Sequence, residues 1–186
     1  MRKLVSGLFI TMDGVVEEPS DWQETFDEDM MASLENHLAT TDTIVLGRVT
    51  YEYWEPHFSI AEPDGGFADH INNNPKYVVS TTLDDVKWGS YDNITLIKNN
   101  LIEEINELKQ QDGKNIAVSG SPTLVRYLIE QEVLDQLQLF IHPVIANKGQ
   151  RLFQEGSPLQ RFDLVECKAT VSGNIIATYR LRKITP

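Results

Sequence analysis

Two short apolar runs in this chain each end in a glycine-containing corner that leads directly into a helical pattern. Ile44–Leu46 is followed by Gly47 and Arg48, and Ile116–Val118 is followed by Ser119–Ser121. Strands that feed helices in this way predict a parallel α/β sheet. A helix N-terminus offers free backbone N–H groups, and glycine lets the backbone approach a ligand closely. Each corner therefore also predicts an anion site.

Arg48 adds a fixed charge to the first corner, and its planar guanidinium suits phosphate oxygens. Two such corners in one small domain predict a dinucleotide lying across the strand ends. A plain structural interpretation stays open, since a solvated arginine after a turn and a serine–proline helix cap give the same patterns.

Composition restricts the class of partner. The chain has 186 residues and a net charge of −12, with 41% hydrophobic residues. This length predicts one domain spanning residues 1–186, and the acidity disfavours nucleic acids and anionic membranes as partners. An anionic cofactor would then need a local basic group such as Arg48.

Cys167 is the single cysteine, which rules out an internal disulfide and favours a cytoplasmic location. We predict no signal peptide and no membrane helix.

The hydrophobic pattern predicts an alternation of strands and helices followed by a β-rich tail. Such alternation implies a mainly parallel sheet with helices on both faces, and the tail implies a C-terminal antiparallel hairpin around Val171–Asn174. Residues 55–74 read as a long loop with one helical turn near Phe67–Ile71. Helices are expected at Glu28–Leu38, Val49–Trp54, Leu101–Gln111 and Pro122–Gln131. Strands are expected at Leu4–Thr11, Thr43–Leu46, Lys76–Ser80, Ile94–Ile97, Asn115–Val118, Leu137–Pro143, Arg161–Thr170 and Asn174–Arg182.

Several motifs along the chain, taken in order, resemble the dihydrofolate reductase-like superfamily, and most closely the C-terminal reductase domain of bacterial riboflavin biosynthesis. The likeness runs from Lys3 to Arg182. Its pieces are Phe9–Gly14, Leu46–Glu52, Ser80–Thr82, Val118–Leu124, Val133–Leu137, and His142–Ile145 with Gly149 and Leu152–Phe153. The resemblance implies a three-layer αβα dihydrofolate reductase-like fold and NADPH as the cofactor.

By this resemblance, the strand ends bind the parts of NADPH. Asp13 and Gly14 would border the nicotinamide and the substrate, beneath a lid formed by Val15–Trp22. Ser80, Thr81 and Thr82 would contact the adenosine end. The phosphates would be held by Gly47, Arg48, Val49 and Thr50 and by Ser119, Gly120, Ser121, Thr123 and Leu124. Arg48 would lie near the pyrophosphate or the 2′-phosphate.

The chain departs from the family pattern in three places. Met31 occupies the position where dihydrofolate reductases carry the carboxylate that grips the pterin, which argues against folate. Ser119-Gly120-Ser121 replaces the Glu-Gly-Gly usual in riboflavin-type domains. The zinc-ligand set of a fused deaminase domain is missing. A pyrimidine resembling 5-amino-6-(5-phosphoribosylamino)uracil is the substrate that the resemblance suggests.

We therefore expect an NADPH-dependent oxidoreductase that transfers hydride to a C=N or C=O group of a small substrate. Asp13 is the candidate catalytic residue for proton relay, and Trp22, Phe26, Tyr51 and Trp54 are candidates for the substrate pocket, although core packing is the commoner fate of such aromatic residues. The histidines lack metal-ligand spacing, so we predict no metal site. One alternative is a nucleotide-binding protein without catalysis. Another is a dimeric interaction protein. For the reductase and for both alternatives we expect a homodimer, with Leu137–Val144 contributing to its interface.

Overall fold

A computed structural model describes residues 1–182 of the chain. Contacts divide the chain into two compact units. Unit 1 comprises Met1–Leu4 and Glu35–Ser121, and unit 2 comprises Val5–Leu34 and the chain from Pro122 onward. The strands are β1 (Leu4–Thr11), β2 (Thr41–Gly47), β3 (Lys76–Val79), β4 (Ile94–Ile97), β5 (Asn115–Val118), β6 (Gln136–His142), β7 (Phe162–Ala169) and β8 (Ile175–Leu181). The helices are α1 (Glu28–Ala39), α2 (Arg48–Phe58), α3 (Phe67–Asn73), α4 (Leu101–Gln110) and α5 (Pro122–Glu130).

The four strands of unit 1 are all parallel and lie in the order β4-β3-β2-β5. The central strand β2 carries Ile44, Val45 and Leu46, which are at most 2% exposed. An apolar run of this kind is typical of a parallel strand that is covered on both faces. Its carboxyl end leads straight into α2, as the first corner predicts.

The core of unit 1 also buries a lysine. Lys76, at the start of β3, is fully buried among Trp88 and Tyr91, and its Nζ donates hydrogen bonds to the carbonyl oxygens of Ile71, Asn72 and Asn74 at 2.8, 3.2 and 2.9 Å. The ammonium thus satisfies carbonyls at the end of α3, where a cation is also favoured by the helix dipole. Burial lowers the pKa of Lys76 to about 8.

Unit 2 contains β1-β6-β8-β7, in which β1 and β6 are parallel and the last two pairings are antiparallel. β7 and β8 form the predicted C-terminal hairpin, whose turn contains Gly173 at φ +87°. Most residues of β7 are exposed, whereas β6 lies between β1 and β8 and buries Leu137, Leu139 and Phe140. The structure confirms the predicted α/β class, the mostly parallel strands and the antiparallel C-terminal pair. The single domain over residues 1–186 stays a prediction.

The segment between β2 and β3 differs from its prediction as a long loop. α2 continues beyond Trp54 through Pro56 to Phe58, and α3 runs for seven residues. Trp54, Phe58 and Phe67 pack edge to face, with ring centroids 5.2–5.6 Å apart. Because aromatic contacts of this type stabilise a core, they offset the backbone hydrogen bond that proline removes from a helix.

Candidate functional site

The two predicted corners of unit 1 meet at one edge of its sheet. β2 and β5 are neighbouring parallel strands, so their carboxyl ends lie side by side. The Gly47 N–H donates to the Gly120 carbonyl oxygen at 2.7 Å, and the Ser119 N–H donates to the Val45 carbonyl oxygen at 3.2 Å. We call Gly47–Thr50 and Ser119–Ser121 the paired corners. Their contact brings two strand-to-helix turns to a single place.

Both glycines of the paired corners stand where a side chain does not fit. A Cβ atom on Gly47 would lie 2.7 Å from Ser121 Oγ and 2.9 Å from the Ser121 backbone nitrogen. A Cβ atom on Gly120, which has φ +117°, would lie 2.8 Å from Thr50 Oγ1. The Gly120–Ser121 peptide bond is cis. Glycine at both positions therefore lets each corner pack closely against the residues of the other.

Arg48 opens α2, and the N-cap residue before it is Gly47, which has no side chain to cap the helix. The first turn of such a helix presents backbone N–H groups to any anion placed there. The guanidinium of Arg48 pairs with Glu52 at 2.7 Å, and the two side chains are 44% and 46% exposed. An ion pair this exposed is weak, so a phosphate can take the place of the carboxylate at little cost. Val49 is exposed and Thr50 is half-buried beside Gly120.

The third predicted corner of unit 1, Ser80–Thr82, lies next to the first. β3 pairs with β2 in parallel, with Val79 opposite Gly47, so Ser80 emerges at the same edge as Arg48. Ser80 is buried, and its Oγ accepts the backbone N–H groups of Thr82 and Leu83, both at 3.1 Å. Thr81 and Thr82 are exposed. Ser80 thus shapes the turn, and the Thr82 hydroxyl lies 3.2 Å from Ser80 Oγ.

Thr123 and Leu124 belong to unit 2, on the first turn of α5. Leu124 is 7% exposed and packs in the core, whereas Thr123 is exposed and its Oγ1 accepts a hydrogen bond from Gln150 Nε2 at 3.0 Å. The contribution of both residues to phosphate binding stays a prediction.

Asp13 follows β1 in unit 2 and holds a second loop. Its carboxylate accepts hydrogen bonds from the Thr11 hydroxyl at 2.6 Å and from the Ala146 and Asn147 N–H groups, each at 3.0 Å. Arg151 Nη2 lies 3.0 Å from Asp13 Oδ2, and Arg151 Nε donates to the Asp13 carbonyl oxygen at 2.8 Å. The carboxyl group is therefore saturated with donors.

These contacts decide the charge of Asp13. Hydrogen bonds from the Thr11 hydroxyl, from the two backbone N–H groups and from Arg151 hold the pKa of Asp13 well below its ordinary 3.8. The group is ionised at neutral pH and accepts protons poorly, so its geometry fits loop positioning better than proton relay. Catalysis by Asp13 stays a prediction. Gly14 follows at φ +85°, with open space around its Cα.

The four aromatic residues predicted for the substrate divide between the units. Tyr51 is 8% exposed in the core of unit 1, where its hydroxyl exchanges hydrogen bonds with the backbone of Lys87 at 3.1 and 3.2 Å. Trp54 packs in the aromatic group with Phe58 and Phe67. In unit 2, Phe26 packs edge to face with Phe9 and Trp22 with His142, at 5.9 and 5.3 Å between ring centroids. A substrate role for each of the four stays a prediction.

Sequence reasoning named His142 and parts of the loop after it in the family resemblance but gave them no role in the site. His142 is 1% exposed, burial lowers the pKa of its imidazole, and its Nε2 has no hydrogen-bond partner among the described residues. The loop forms a cavity of about 480 Å³ with the segment predicted as a lid, and Glu17 Oε2 accepts the Gln150 N–H there. No local sequence signal reveals this contact, because the two loops are far apart in the chain. The residues lining the cavity include Glu17, Glu18, Asp21, Trp22, Glu24, Ile145 and Lys148.

Across residues 1–182, no cluster of three or more His, Cys, Asp or Glu side chains could hold a metal ion. None of the helices in this part of the chain is both long enough and apolar enough to cross a membrane.

Comparisons with known proteins agree with this architecture. The model of the RibD C-terminal domain family matches residues 2–176. The uncharacterized protein YyaP of Bacillus subtilis strain 168 is 29% identical over 185 residues, covering 96% of this chain and 94% of its own. A Shewanella sp. PV-4 protein named for riboflavin biosynthesis is similar in structure, with a TM-score of 0.75, 19% identity, and coverage of 97% of this chain and 99% of the other.

Two further solved structures have the same fold. The diaminohydroxyphosphoribosylaminopyrimidine deaminase/5-amino-6-(5-phosphoribosylamino)uracil reductase of Thermotoga maritima gives a TM-score of 0.69 at 12% identity, over 97% of this chain and 57% of that one. The dihydrofolate reductase of Enterococcus faecalis, complexed with NADP(H) and RAB-propyl, gives 0.63 at 16% identity, over 97% of both chains. The dihydrofolate reductase-like fold is thereby confirmed.

Proposed function

The chain belongs to the family of the RibD C-terminal domain, and from this premise we propose that it is an NADPH-dependent reductase of a small substrate. The family and its structural neighbours are reductase-like. When bound, NADPH supplies a hydride for a C=N or C=O group. The residues of this chain bind the cofactor, orient the substrate and exclude water.

The contact between Gly47 and Gly120 is the observation that carries the proposal. Two helix-leading corners meet there through a backbone hydrogen bond, with no room for a Cβ atom on either glycine, and Arg48 adds a charge that is held by an exposed ion pair. Backbone N–H groups beside one guanidinium fit a pyrophosphate. The phosphate-binding residues would be Gly47, Arg48, Val49, Thr50, Ser119, Gly120, Ser121, Thr123 and Leu124, with Ser80, Thr81 and Thr82 at the adenosine.

For the substrate side, we retain the aminopyrimidine class, with 5-amino-6-(5-phosphoribosylamino)uracil as the first compound to test. Asp13 and Gly14 would border the reacting groups, and the aromatic residues Trp22 and Phe26 would contact a flat ring. Met31 stands where a pterin-binding carboxylate would be needed, and a thioether cannot replace that carboxylate, which supports a substrate other than folate.

A second candidate is a nucleotide-binding protein without catalysis. The contacts of Asp13 favour this second candidate. The Asp13 carboxylate already accepts hydrogen bonds from Thr11, Ala146 and Asn147 and pairs with Arg151, so it holds a loop and has no oxygen lone pair left for a substrate proton. Tight NADPH binding without oxidation across a screen of pyrimidine, pterin and sugar substrates would support this candidate over the reductase.

A titration of purified protein with NADPH and NADH, followed by cofactor fluorescence, tests the cofactor. Saturable NADPH binding is expected, and Arg48→Ala should weaken it by about 1.5–3 kcal/mol, the cost of losing a hydrogen bond to a charged group. Lack of saturable binding of either cofactor at millimolar concentration would reject the proposal. An unchanged affinity in Arg48→Ala would remove Arg48 from the site.

We also propose a homodimer in the cytoplasm. A contribution of Leu137–Val144 to its interface stays a prediction; most of that stretch is β6, which is flanked by two strands and packs into the core. Leu164 and Val165 on β7 are 58% and 51% exposed and are better candidates. Light scattering should give about twice the chain mass of 21.1 kDa, and a monomer at micromolar concentration would contradict the dimer.

A further inference from the structure

Three Asp–Gly dipeptides lie outside the helices and strands: Asp13–Gly14, Asp64–Gly65 and Asp112–Gly113. Asp–Gly is chemically labile, because glycine has no side chain to hinder attack of its backbone nitrogen on the preceding carboxyl group. The attack joins this nitrogen to Cγ, and the N–H proton leaves with the carboxyl OH as water. Hydrolysis of the resulting five-membered succinimide adds the water back and gives aspartate or isoaspartate. No other reactant is needed.

Two kinds of native contact oppose this reaction. A hydrogen bond from the glycine N–H fixes the attacking nitrogen, and hydrogen bonds to the aspartate carboxylate fix Cγ. Donors around the carboxylate also lower its pKa, which reduces the fraction of the acid form from which water leaves. An Asp–Gly dipeptide is therefore most reactive in a folded chain where both kinds of contact are missing.

Asp13–Gly14 has both kinds of contact. The Gly14 N–H donates to the Thr11 carbonyl oxygen at 3.0 Å. The Asp13 carboxylate accepts the Thr11 hydroxyl at 2.6 Å, and it also accepts the N–H groups of Ala146 and Asn147. These bonds, the one from Thr11 above all, hold the pKa of Asp13 below its ordinary 3.8. The two reacting atoms can meet only when these bonds break.

Asp64–Gly65 is held in the same way. The Gly65 N–H donates to Asp69 Oδ2 at 2.8 Å. The Asp64 carboxylate accepts three backbone N–H groups at 2.7–3.2 Å, those of Gly66, Ala68 and Asp69. These bonds, led by the one from Gly66, hold the pKa of Asp64 below 3.8. The fold thus protects this dipeptide as well.

Asp112–Gly113, between α4 and β5, lacks both kinds of contact. Asp112 and Gly113 are exposed. Within residues 1–182, neither the Asp112 carboxylate nor the Gly113 N–H takes part in a hydrogen bond. The reacting nitrogen and carboxyl group are therefore open to each other without local unfolding.

We propose that Asp112–Gly113 is the site at which the native protein spontaneously forms isoaspartate, and that the fold protects the other two Asp–Gly dipeptides. This inference does not depend on the proposed function. The product keeps its mass and its carboxylate, but the main chain gains one methylene group at residue 112.

The residue after this dipeptide is firmly held. The Lys114 N–H donates to Asp42 Oδ2 at 2.7 Å, and the Lys114 carbonyl oxygen accepts Arg2 Nε. A Cβ atom on Gly113 would lie 2.7 Å from Asp42 Oδ2, so the segment has little room to shift in that direction. The extra methylene therefore strains the contacts of Arg2 and Asp42 at the start of β5.

The test incubates the full-length protein at pH 7.4 and 37 °C and digests samples with endoprotease Asp-N, which cleaves before aspartate but not before isoaspartate. Chromatography with mass spectrometry gives the isoaspartate fraction at residues 13, 64 and 112. Residue 112 should isomerise at least about tenfold faster than the other two, because their hydrogen bonds must first break. In guanidinium chloride, which unfolds the chain, the three rates should be comparable.

Three variants sharpen the test. Asp112→Glu keeps the charge but would need a six-membered ring, so the modification at residue 112 should disappear. Asp112→Asn should react faster, because ammonia leaves more readily than water at neutral pH, and its deamidation changes the mass. Asp69→Ala removes the acceptor of the Gly65 N–H and should increase isoaspartate at residue 64.

Isoaspartate that accumulates at residue 112 of the folded protein and is lost in Asp112→Glu supports the inference. Equal rates at the three dipeptides of the folded protein, or no isoaspartate at residue 112, would overturn it. Aged wild-type protein should also unfold at a lower urea concentration than aged Asp112→Glu. Equal midpoints would overturn the strain on Arg2 and Asp42. None of these readouts requires cofactor binding, so they are independent of the reductase proposal.

Discussion

Gly47 and Gly120 are in direct backbone contact, with 2.7 Å between the Gly47 nitrogen and the Gly120 oxygen, although 72 residues of chain separate them. Each glycine faces a hydroxyl group of the other corner, from Ser121 or Thr50. The contact depends on the parallel pairing of β2 with β5. It leaves no room for a Cβ atom at either position, and this makes the site testable.

Gly47→Ala should damage the paired corners. The new methyl group would lie 2.9 Å from the Ser121 backbone nitrogen, so the corner must shift. We expect a loss of about 1–3 kcal/mol in the free energy of unfolding, as for other overpacked sites. NADPH affinity should fall at least tenfold. Urea denaturation and a fluorescence titration measure the two effects.

Gly66→Ala is the matched control for Gly47→Ala. Both glycines are N-caps of helices, but a Cβ on Gly66 would meet its nearest atom, Asp64 Oδ1, at an ordinary 3.7 Å. The control should change stability by less than about 0.5 kcal/mol and leave NADPH affinity intact. Equal effects of the two variants would show that the paired corners are not special.

Glu52→Gln should strengthen NADPH binding. Glu52 pairs with Arg48 at 2.7 Å and would compete with a phosphate for the guanidinium. Removing the charge should tighten NADPH roughly two- to fivefold at low salt and cost less than about 0.5 kcal/mol of stability, as for an exposed pair one helical turn apart. Titrations at 20 and 300 mM salt check this, because the gain should shrink with screening. A weaker affinity would argue that Glu52 positions Arg48 for the ligand.

Tyr51→Phe distinguishes packing from substrate binding. The Tyr51 hydroxyl makes two hydrogen bonds with the Lys87 backbone in the core of unit 1. Their loss should cost about 1–2 kcal/mol in urea denaturation. The KM for the aminopyrimidine should change little. If stability is unchanged and KM rises tenfold, Tyr51 contacts the substrate as the sequence suggested.

Asp13→Asn should reveal an acid-dependent loop anchor. The folded-state pKa of Asp13 is depressed below 3.8, so the ionised group stabilises the fold above that pH. This contribution is lost as the pH falls below about 4, and the wild type should then lose its advantage over Asp13→Asn. Denaturation at pH 7, 5 and 3 measures the convergence, with the exposed Asp21→Asn as control. A pH-independent difference would contradict the assignment.

Lys76→Met should remove a rise in stability at alkaline pH. The pKa of Lys76 is lowered from 10.5 to about 8, so between these values the unfolded chain binds a proton that the native chain does not. Wild-type stability should therefore increase relative to Lys76→Met as the pH rises from 8 to 10.5. Denaturant midpoints across this range test it, and the exposed Lys3→Met should follow the wild type. A constant difference would show that the ammonium keeps its proton.

The paired corners could be predicted from the sequence because strand, glycine and helix are consecutive there. The parallel order of the strands then determines which corners meet. The pattern near Pro56 was misleading. Proline usually ends a helix, but Phe58 gains aromatic contacts with Trp54 and Phe67 that only the folded chain provides.

Whether a missed feature could have been predicted depends on how close in the chain its partners lie. Asp64 caps α3 by accepting the N–H groups of Gly66, Ala68 and Asp69, and this local signal could have revealed the helix. In contrast, Asp13 meets Ala146, Asn147 and Arg151 from more than 130 residues away. Neither periodicity nor composition predicts such a contact.

The outer strand β7 has a consequence for handling the protein. Within residues 1–182 it pairs with β8 on one side, which leaves main-chain groups of the other side open to a further strand. Leu164 and Val165 would favour such templated association, whereas the charges of Glu166 and Lys168 oppose it as gatekeepers. Neutralising both charges should convert a soluble preparation into one that aggregates on concentration or heating.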